Sequence, residues 1–208
     1  MTAVSLVTAG IGKITLVDSD IIELSNLTRQ FLFTEEDIGQ YKVEILQREL
    51  LKRNSSTIIS TLNLCIKSQL DMEKLPKCDL ILLSADSPWG LSKWVNRFCQ
   101  RSQIPFINVG YIQDIAVWGP FVIPGKTGCW ECQTLAASTE ITDPEVTMMM
   151  NSINSFYQAP SIGPINMLAS SLALLDILKY FGNFGEIATL NKRMGLWTHQ
   201  LKFESQSC

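Results

Sequence analysis

The stretch that decides the reading is 14-ITLVDSDIIELSNLTRQFLFTEEDIGQYKV-43. It opens with the apolar run Ile14-Thr15-Leu16-Val17 and then meets two carboxylates, Asp18 and Asp20, so it predicts a strand with acids at its carboxyl end. In open α/β sheets ligands bind beyond the carboxyl ends of the strands, and an acid placed there hydrogen-bonds the hydroxyls of a nucleotide ribose. Two cations follow on the same excursion, Arg29 and Lys42. Guanidinium and ammonium groups neutralise phosphate oxygens, so one acid and two cations form a set suited to ATP. The plain alternative for Arg29 and Lys42 is a pair of solvated surface cations.

Before this stretch, residues 2–10 predict the last turns of a helix with Gly10 as its C-cap. In a nucleotide-binding half-sheet, the helix feeding such a strand begins at a glycine-rich turn preceded by a first strand. The sequence contains no Gly-x-Gly-x-x-Gly, and the expectation is a domain lacking that strand and loop. Beyond it, residues 40–53 predict a helix with Val43, Leu46, Leu50 and Leu51 on its inward stripe, and Lys42 in the first turn, where backbone N–H groups attract anions. Strands follow at 57–64, 79–84, 105–109 and 115–123, with a helix at 89–102. This order predicts an α/β fold, Rossmann-like and doubly wound, with a mostly parallel sheet and helices on both faces. Residues 136–159 are irregular and carry Met148, Met149 and Met150. The long apolar segment 161–181 is interrupted by Pro164, Asn166, Asp176 and Lys179, which favours a buried central or dimer-interface helix over a membrane span. Residues 186–190 and 195–203 predict closing strands.

A chain of 208 residues suits one α/β domain. Net charge −3 without a basic run argues against a nucleic-acid surface. No export signal is evident at the start, and six cysteines with only one close pair fit a reducing compartment, so the cytoplasm is expected. The single histidine, His199, falls in an alternating segment and reads as structural, which sets aside Ser-His-Asp, Cys-His and histidine-rich metal chemistry. Cys129-Trp130-Glu131-Cys132 has the spacing of half a zinc knuckle, with plain thiols or a redox pair as alternatives. Cys65, Cys78 and Cys99 lie in or beside apolar runs and read as packing.

The strand ending Asp18-Ser19-Asp20, the string Ser25-Asn26-Leu27-Thr28-Arg29-Gln30, and Gly39-Gln40-Tyr41-Lys42 opening the next helix together resemble the adenylate-forming family of ubiquitin-activating enzymes and of the molybdopterin-synthase and thiamine-biosynthesis adenylyltransferases, the ThiF/MoeB/HesA type. The likeness runs over most of the chain. It implies a single ubiquitin-activating-enzyme-like adenylation domain over residues 1–208, truncated at the N-terminus and incomplete at both ends. By the resemblance Asp18 holds the ribose, and Arg29 and Lys42 hold the ATP phosphates, with Asn26 and Gln30 on the phosphate side. Asp86 ligates the Mg²⁺ carried by ATP, while its place before Ser87-Pro88 also suits capping of the next helix. Ser87 and Leu91 depart from the Asn and Arg of many relatives. Lys93 lies about 200° round the helix from Leu91 and is no simple replacement. Relatives complete a zinc site with a second C-x-x-C, and Cys208 stands where its first member is expected. Relatives are homodimers, and those that form a thioester or persulfide carry a cysteine in the crossover. No cysteine lies between Cys132 and Cys208. The implied activity is ATP-dependent adenylation of the C-terminal carboxylate of a small peptide or of a ubiquitin-like or sulfur-carrier protein. A non-catalytic peptide-binding or dimerisation module is the alternative. A nicotinamide dehydrogenase would leave Arg29, Lys42 and Asp86 without roles.

Overall fold

The computed structural model describes residues 1–85, 87–88, 90–112, 114–132 and 162–207; Asp86, Cys208 and the 136–159 segment with its three methionines lie outside them. Helix α1 (Thr2–Thr8) runs into strand β1 (Lys13–Val17) through a short turn in which Gly10 adopts φ +91°, a region glycine enters without a Cβ clash. The helix folds back on the strand it feeds, so that Val7 packs with Leu16, Val43, Leu50 and Ile59. Helix α2 (Lys42–Leu51) follows, and strand β2 (Ile58–Leu62) then pairs in parallel with β1, Lys13 opposite Ile58.

The buried residues of α2 are Val43, Ile45 and Leu50, whereas Leu51 is exposed. The difference from the expected stripe has a local cause. Ile45 turns toward a second apolar cluster, with Ile22, Leu32 and Phe33 of the preceding excursion, so α2 buries two faces instead of one.

A second sheet holds β3 (Ile81–Leu83), β4 (Phe106–Ile112), β5 (Ile115–Val122), β6 (Lys192–Trp197) and β7 (Lys202–Ser207), in that order. Helix α3 (Leu91–Ser102) covers one face through Leu91, Val95, Phe98 and Cys99, and α4 (Gly163–Gly182) covers the other through Ile165, Ala169, Ala173 and Ile177. The α/β architecture is as expected, but the sheet is mixed: β3 and β4 are parallel, and β4 to β7 are antiparallel. The link from Ile112 to Ile115 explains the reversal, because a parallel return needs a crossover of roughly a dozen residues or more.

Residues 186–190 do not form the expected strand and make only a bridge between Leu190 and Phe121. Buried Asp176 of α4 accepts the Ala188 N–H and the Thr189 hydroxyl at 2.7 Å each, which turns these groups toward the helix and away from any strand neighbour. Residues 195–203 likewise split into β6, a turn in which Leu201 takes φ +52°, and β7. By length and composition α4 could cross a membrane. One face of it packs on β4 and β5, while Met167, Leu168, Leu175 and Phe181 are exposed.

Candidate functional site

Asp18 follows the last residue of β1, where its N–H still donates to the Leu62 carbonyl. Its Oδ1 accepts the Asp20 N–H at 2.8 Å, which bends the chain sharply out of the sheet. Burial pushes the Asp18 carboxyl above the usual carboxylate range, with the Asp20 N–H and the Lys42 ammonium pulling partly the other way. The excursion that follows is closed at its base by a short ribbon. Ile22 N–H donates to the Gln40 carbonyl, Gly39 N–H to the Ile22 carbonyl, and Lys42 N–H to the Asp20 carbonyl, at 2.9 to 3.0 Å.

This ribbon brings the first residue of α2 beside the end of β1, and Lys42 Nζ lies 2.7 Å from Asp20 Oδ2. The lysine side chain is 14% exposed and the aspartate 64%. A cation in the first turn opposes the helix dipole, at a cost of roughly 0.3–1 kcal/mol. Asp20 offsets part of it. No side chain caps the N-terminus of α2, so its N–H groups and the Lys42 ammonium both favour an anion in front of them.

Along the excursion, Asn26 is buried, and its Oδ1 accepts the Glu23 N–H at 3.0 Å while its backbone carbonyl receives the Arg29 and Gln30 N–H groups. Asn26, expected to support the phosphate side, thus ties the turn with its side-chain oxygen. Arg29 is half-buried, with Nη1 donating to the Ser25 carbonyl at 3.0 Å, and among the described residues no carboxylate pairs with it. The N-terminus of α4 comes up against it: a Cβ added at Gly163 would stand 3.8 Å from the Thr28 carbonyl oxygen and 3.9 Å from Arg29 Cα. Gln30 Oε1 is buried and has no hydrogen-bond partner.

The far limb is anchored by buried Asp37, which accepts the Thr34 N–H and hydroxyl at 2.9 Å each and Arg48 Nη2 at 2.7 Å. Burial alone would raise the Asp37 carboxyl; these donors hold it below its ordinary value. Asp18, Asp20 and Lys42 thus converge at one strand end, and Arg29 lies on the excursion joined to it. Sequence reasoning passed over Asp20 as the partner of Lys42 and Asp37 as the anchor. The Thr34-x-x-Asp37 spacing of a capping box was the available signal.

Cys129 precedes the turn Trp130–Cys132 and Cys132 ends it, with their sulfurs 3.0 Å apart. Burial and the Cys132 thiol push the Cys129 thiol above its usual range. The turn is fastened to α3 by buried Asn96, whose Oδ1 accepts the Trp130 N–H and whose Nδ2 donates to Glu131 Oε2, both at 3.0 Å, and by Arg97 on Glu131 Oε1 at 2.9 Å. A pair so held supplies two of the four ligands a structural zinc takes. Among the described residues no third Cys, His, Asp or Glu joins them. His199 lies on the β6–β7 turn with its side chain 79% exposed, Nε2 being 3.0 Å from Asp114 Oδ2. The expected alternating segment is broken there, and the histidine forms a surface pair.

Parallel strands with an acid and cations gathered beyond their carboxyl ends, and helices on both faces of the larger sheet, are the marks of Rossmann-like α/β domains. Within that class the chain belongs to the ThiF family, whose family model matches residues 1–207. It is similar to the sulfur carrier protein ThiS adenylyltransferase of Escherichia coli strain K12, 25% identical over 202 residues that cover 94% of this chain and 74% of the relative. It is also similar to ubiquitin-like modifier-activating enzyme 5 of Drosophila mojavensis, 29% identical over 202 residues, 90% of this chain and 49% of the enzyme. Among solved structures, E. coli MccB crystallised with AMPCPP and MccA matches with a TM-score of 0.91 and 43% identity, covering 99% of this chain and 59% of that one. MccB with ATP matches with a TM-score of 0.88 and 44% identity, over the same shares of both chains. The chain therefore spans about half the length of the activating enzyme and 59% of MccB.

Proposed function

We propose that this chain is the nucleotide-gripping part of an ATP-dependent adenylyltransferase acting on the C-terminal carboxylate of a small peptide or of a ubiquitin-like or sulfur-carrier protein. The carboxylate oxygen bonds to the α-phosphorus of ATP, the bond from that phosphorus to the bridging oxygen breaks, and pyrophosphate leaves with the electron pair, giving an acyl-adenylate. The observation that carries the reading is the Asp18–Asp20–Lys42 cluster at the end of β1, in a ThiF-family chain 43–44% identical to an MccB crystallised with ATP and with MccA.

Asp18 accepts the ribose hydroxyls. Lys42, already desolvated and set at a helix N-terminus, exchanges part of its attraction to Asp20 for the phosphates. Arg29, with no acid of its own among the described residues, neutralises the charge that grows at phosphorus. Asn26 holds the turn that presents Arg29, and Gln30 lies beside it. Asp86 is the residue that would hold magnesium, which would supply further positive charge against the phosphates. A structural zinc would take Cys129 and Cys132 as two of its four ligands, with Cys208 as the third the resemblance implies and the fourth not supplied by the motif. The exposed apolar face of α4 suits a homodimer contact, and the unpaired thiols suit the cytoplasm.

The second reading is a peptide-binding or dimerisation module without catalysis, and the observation that favours it is the exposed apolar face of α4, with Met167, Leu168, Leu175 and Phe181. ATP–pyrophosphate exchange with candidate peptides separates the two. In the enzyme reading, Arg29→Ala and Lys42→Met each lower exchange by about 10²–10³-fold, the loss typical of one preorganised charge-stabilising donor. Peptide binding without exchange, and equal ATP affinity in all three proteins, would leave the module reading standing.

A further inference from the structure

Among the described residues Arg193, near the start of β6, is a cation with no acceptor. Strand alternation fixes its face. Met194 and Leu196 pack with α4 in the core, so Arg193, Gly195 and Trp197 point to the opposite side of the sheet. The Arg193 side is half-buried, and burial lowers the guanidinium from its ordinary value with no carboxylate raising it. Two acids come to this side, and both are taken. Glu204, on β7 opposite Gly195, accepts from the Trp197 side chain and from Lys202 Nζ at 3.1 Å. Glu131 lies in the loop that Asn191 ties to the start of β6 by accepting the Gly128 N–H at 2.7 Å, and it is held by Asn96 and Arg97. A desolvated guanidinium without an acceptor is costly, and it attracts an anion more strongly than a solvated one does.

Register places this cation relative to the strand ends. Met194 lies opposite Trp118 and Trp118 opposite Val109, and β6 runs in the same direction as β4, so Arg193 is level with Asn108. Asn108 in turn lies opposite Leu83, the last residue of β3. Arg193 is therefore three strand spacings, about 14 Å, from the carboxyl end of β3. The next row toward that end crosses the sheet as Gly110, Val117 and Gly195, each opposite the next. No described residue stands within 4 Å of the place a Cβ would take on Gly110. Glycine inside a strand marks a place where another backbone approaches closely, and two of them on either side of one valine make a low strip across three strands. Beside the strip, Asn108 Oδ1 is buried and accepts no hydrogen bond.

We infer that Arg193 determines substrate specificity by pairing with a carboxylate side chain, Asp or Glu, of an extended peptide laid along the Gly110–Val117–Gly195 strip. The inference rests on the adenylation reading, in which the terminal carboxylate of that peptide is activated beyond the carboxyl ends of β1 and β3. At ~3.3 Å per extended residue, a span of about 14 Å is about four residues, so the acid stands about four residues ahead of the C-terminal one. The guanidinium fork takes both oxygens of a carboxylate at once, which sets Asp and Glu apart from Asn and Gln at that position. Asn108 Oδ1 accepts a peptide N–H on the way.

Peptide binding tests this without nucleotide. The chain is passed over a randomised library of peptides of about eight residues, twice the span from β3 to Arg193, all with free C-terminal carboxylates, and the retained peptides are sequenced. Wild type enriches Asp and Glu at least ~10-fold over Asn and Gln at one position, about four residues before the C-terminal one. Arg193→Met, which removes an unpaired charge and so melts no lower than wild type, loses that enrichment. Arg193→Glu exchanges it for Lys and Arg, an inversion that a merely structural arginine does not produce. Acidic enrichment at no position, retention of no peptide, or the same enrichment by Arg193→Met overturns the inference. Pyrophosphate exchange keeps the two readings apart. Equal exchange with acidic peptides and their amide counterparts removes the role of Arg193 and leaves adenylation standing, whereas Arg193-dependent binding of acidic peptides without exchange removes adenylation and leaves the Arg193 contact.

Discussion

Asp37→Ala tests how the excursion between β1 and α2 is held, and the structure sets the size of the effect. The buried carboxylate accepts the Thr34 N–H and hydroxyl at 2.9 Å each and Arg48 Nη2 at 2.7 Å. Deleting it removes a capping interaction worth about 1 kcal/mol and leaves a partly buried N–H unmet at a further 1–3 kcal/mol. The Arg48 bond adds less than a buried ion pair would, because that side chain is 47% exposed and keeps Glu49 at 3.0 Å. The sum is about 2–4 kcal/mol out of a typical total of 5–15. At this chain length it is a fall of roughly 4–16 °C in Tm. Thermal and urea unfolding followed by circular dichroism measure it, with Arg48→Ala alongside, expected to cost only about 1 kcal/mol. The pH dependence has a definite sign. The folded-state pKa of Asp37 lies below its ordinary value, so its stabilisation is fully present above the unfolded value near 3.9 and is lost as pH falls through the folded one. The gap between wild type and Asp37→Ala is therefore widest at neutral pH and closes in acid. A loss under about 1 kcal/mol, or a gap indifferent to acid, would show that this carboxylate does not anchor the excursion.

Asp18→Asn acts with the opposite sign, since burial raises the folded pKa of Asp18 and its ionised form is penalised above that value. The amide keeps an oxygen for the Asp20 N–H, so the variant has a higher Tm at pH 7 and an advantage that vanishes below about pH 4. Its ATP affinity, read by calorimetry, falls by about tenfold for one ribose hydrogen bond; an unchanged or lower Tm at neutral pH contradicts the reasoning. Asn96→Ala strips two hydrogen bonds from the C-x-x-C turn and costs about 1–3 kcal/mol. Iodoacetamide then alkylates Cys129 and Cys132 faster than in the wild type, and equal rates would mean that the turn does not depend on Asn96.

How far the fold was legible depends on where each residue's partner lies along the chain. The outline of the site sits within β1, the excursion and α2, and its bonds span few residues: Asn26 to Glu23, Arg29 to Ser25, Thr34 to Asp37. Motif spacing encodes contacts of that range directly. Asn96 is the contrary case. On a helix it reads as a solvated polar residue, and it is buried because Trp130 and Glu131, some 34 to 35 residues later, deliver a donor and an acceptor to it. Residues 186–190 have strand composition, yet Asp176, inside the preceding helix, captures the backbone that would have paired. Ile45 was missed for a related reason, since a single helical period scores one buried face and α2 has two. The most instructive pair is Asp18 and Asp20. Two acids two residues apart on an extended chain share a face and are equivalent to any pattern rule. They separate because Asp20 N–H closes onto Asp18 and the Ile21–Tyr41 bridge then carries Asp20 outward to Lys42. One carboxylate is thereby held desolvated at the strand end while the other serves as the exposed counter-ion of a cation. That division of labour comes from a register between residues some twenty positions apart, and local composition carries no trace of it.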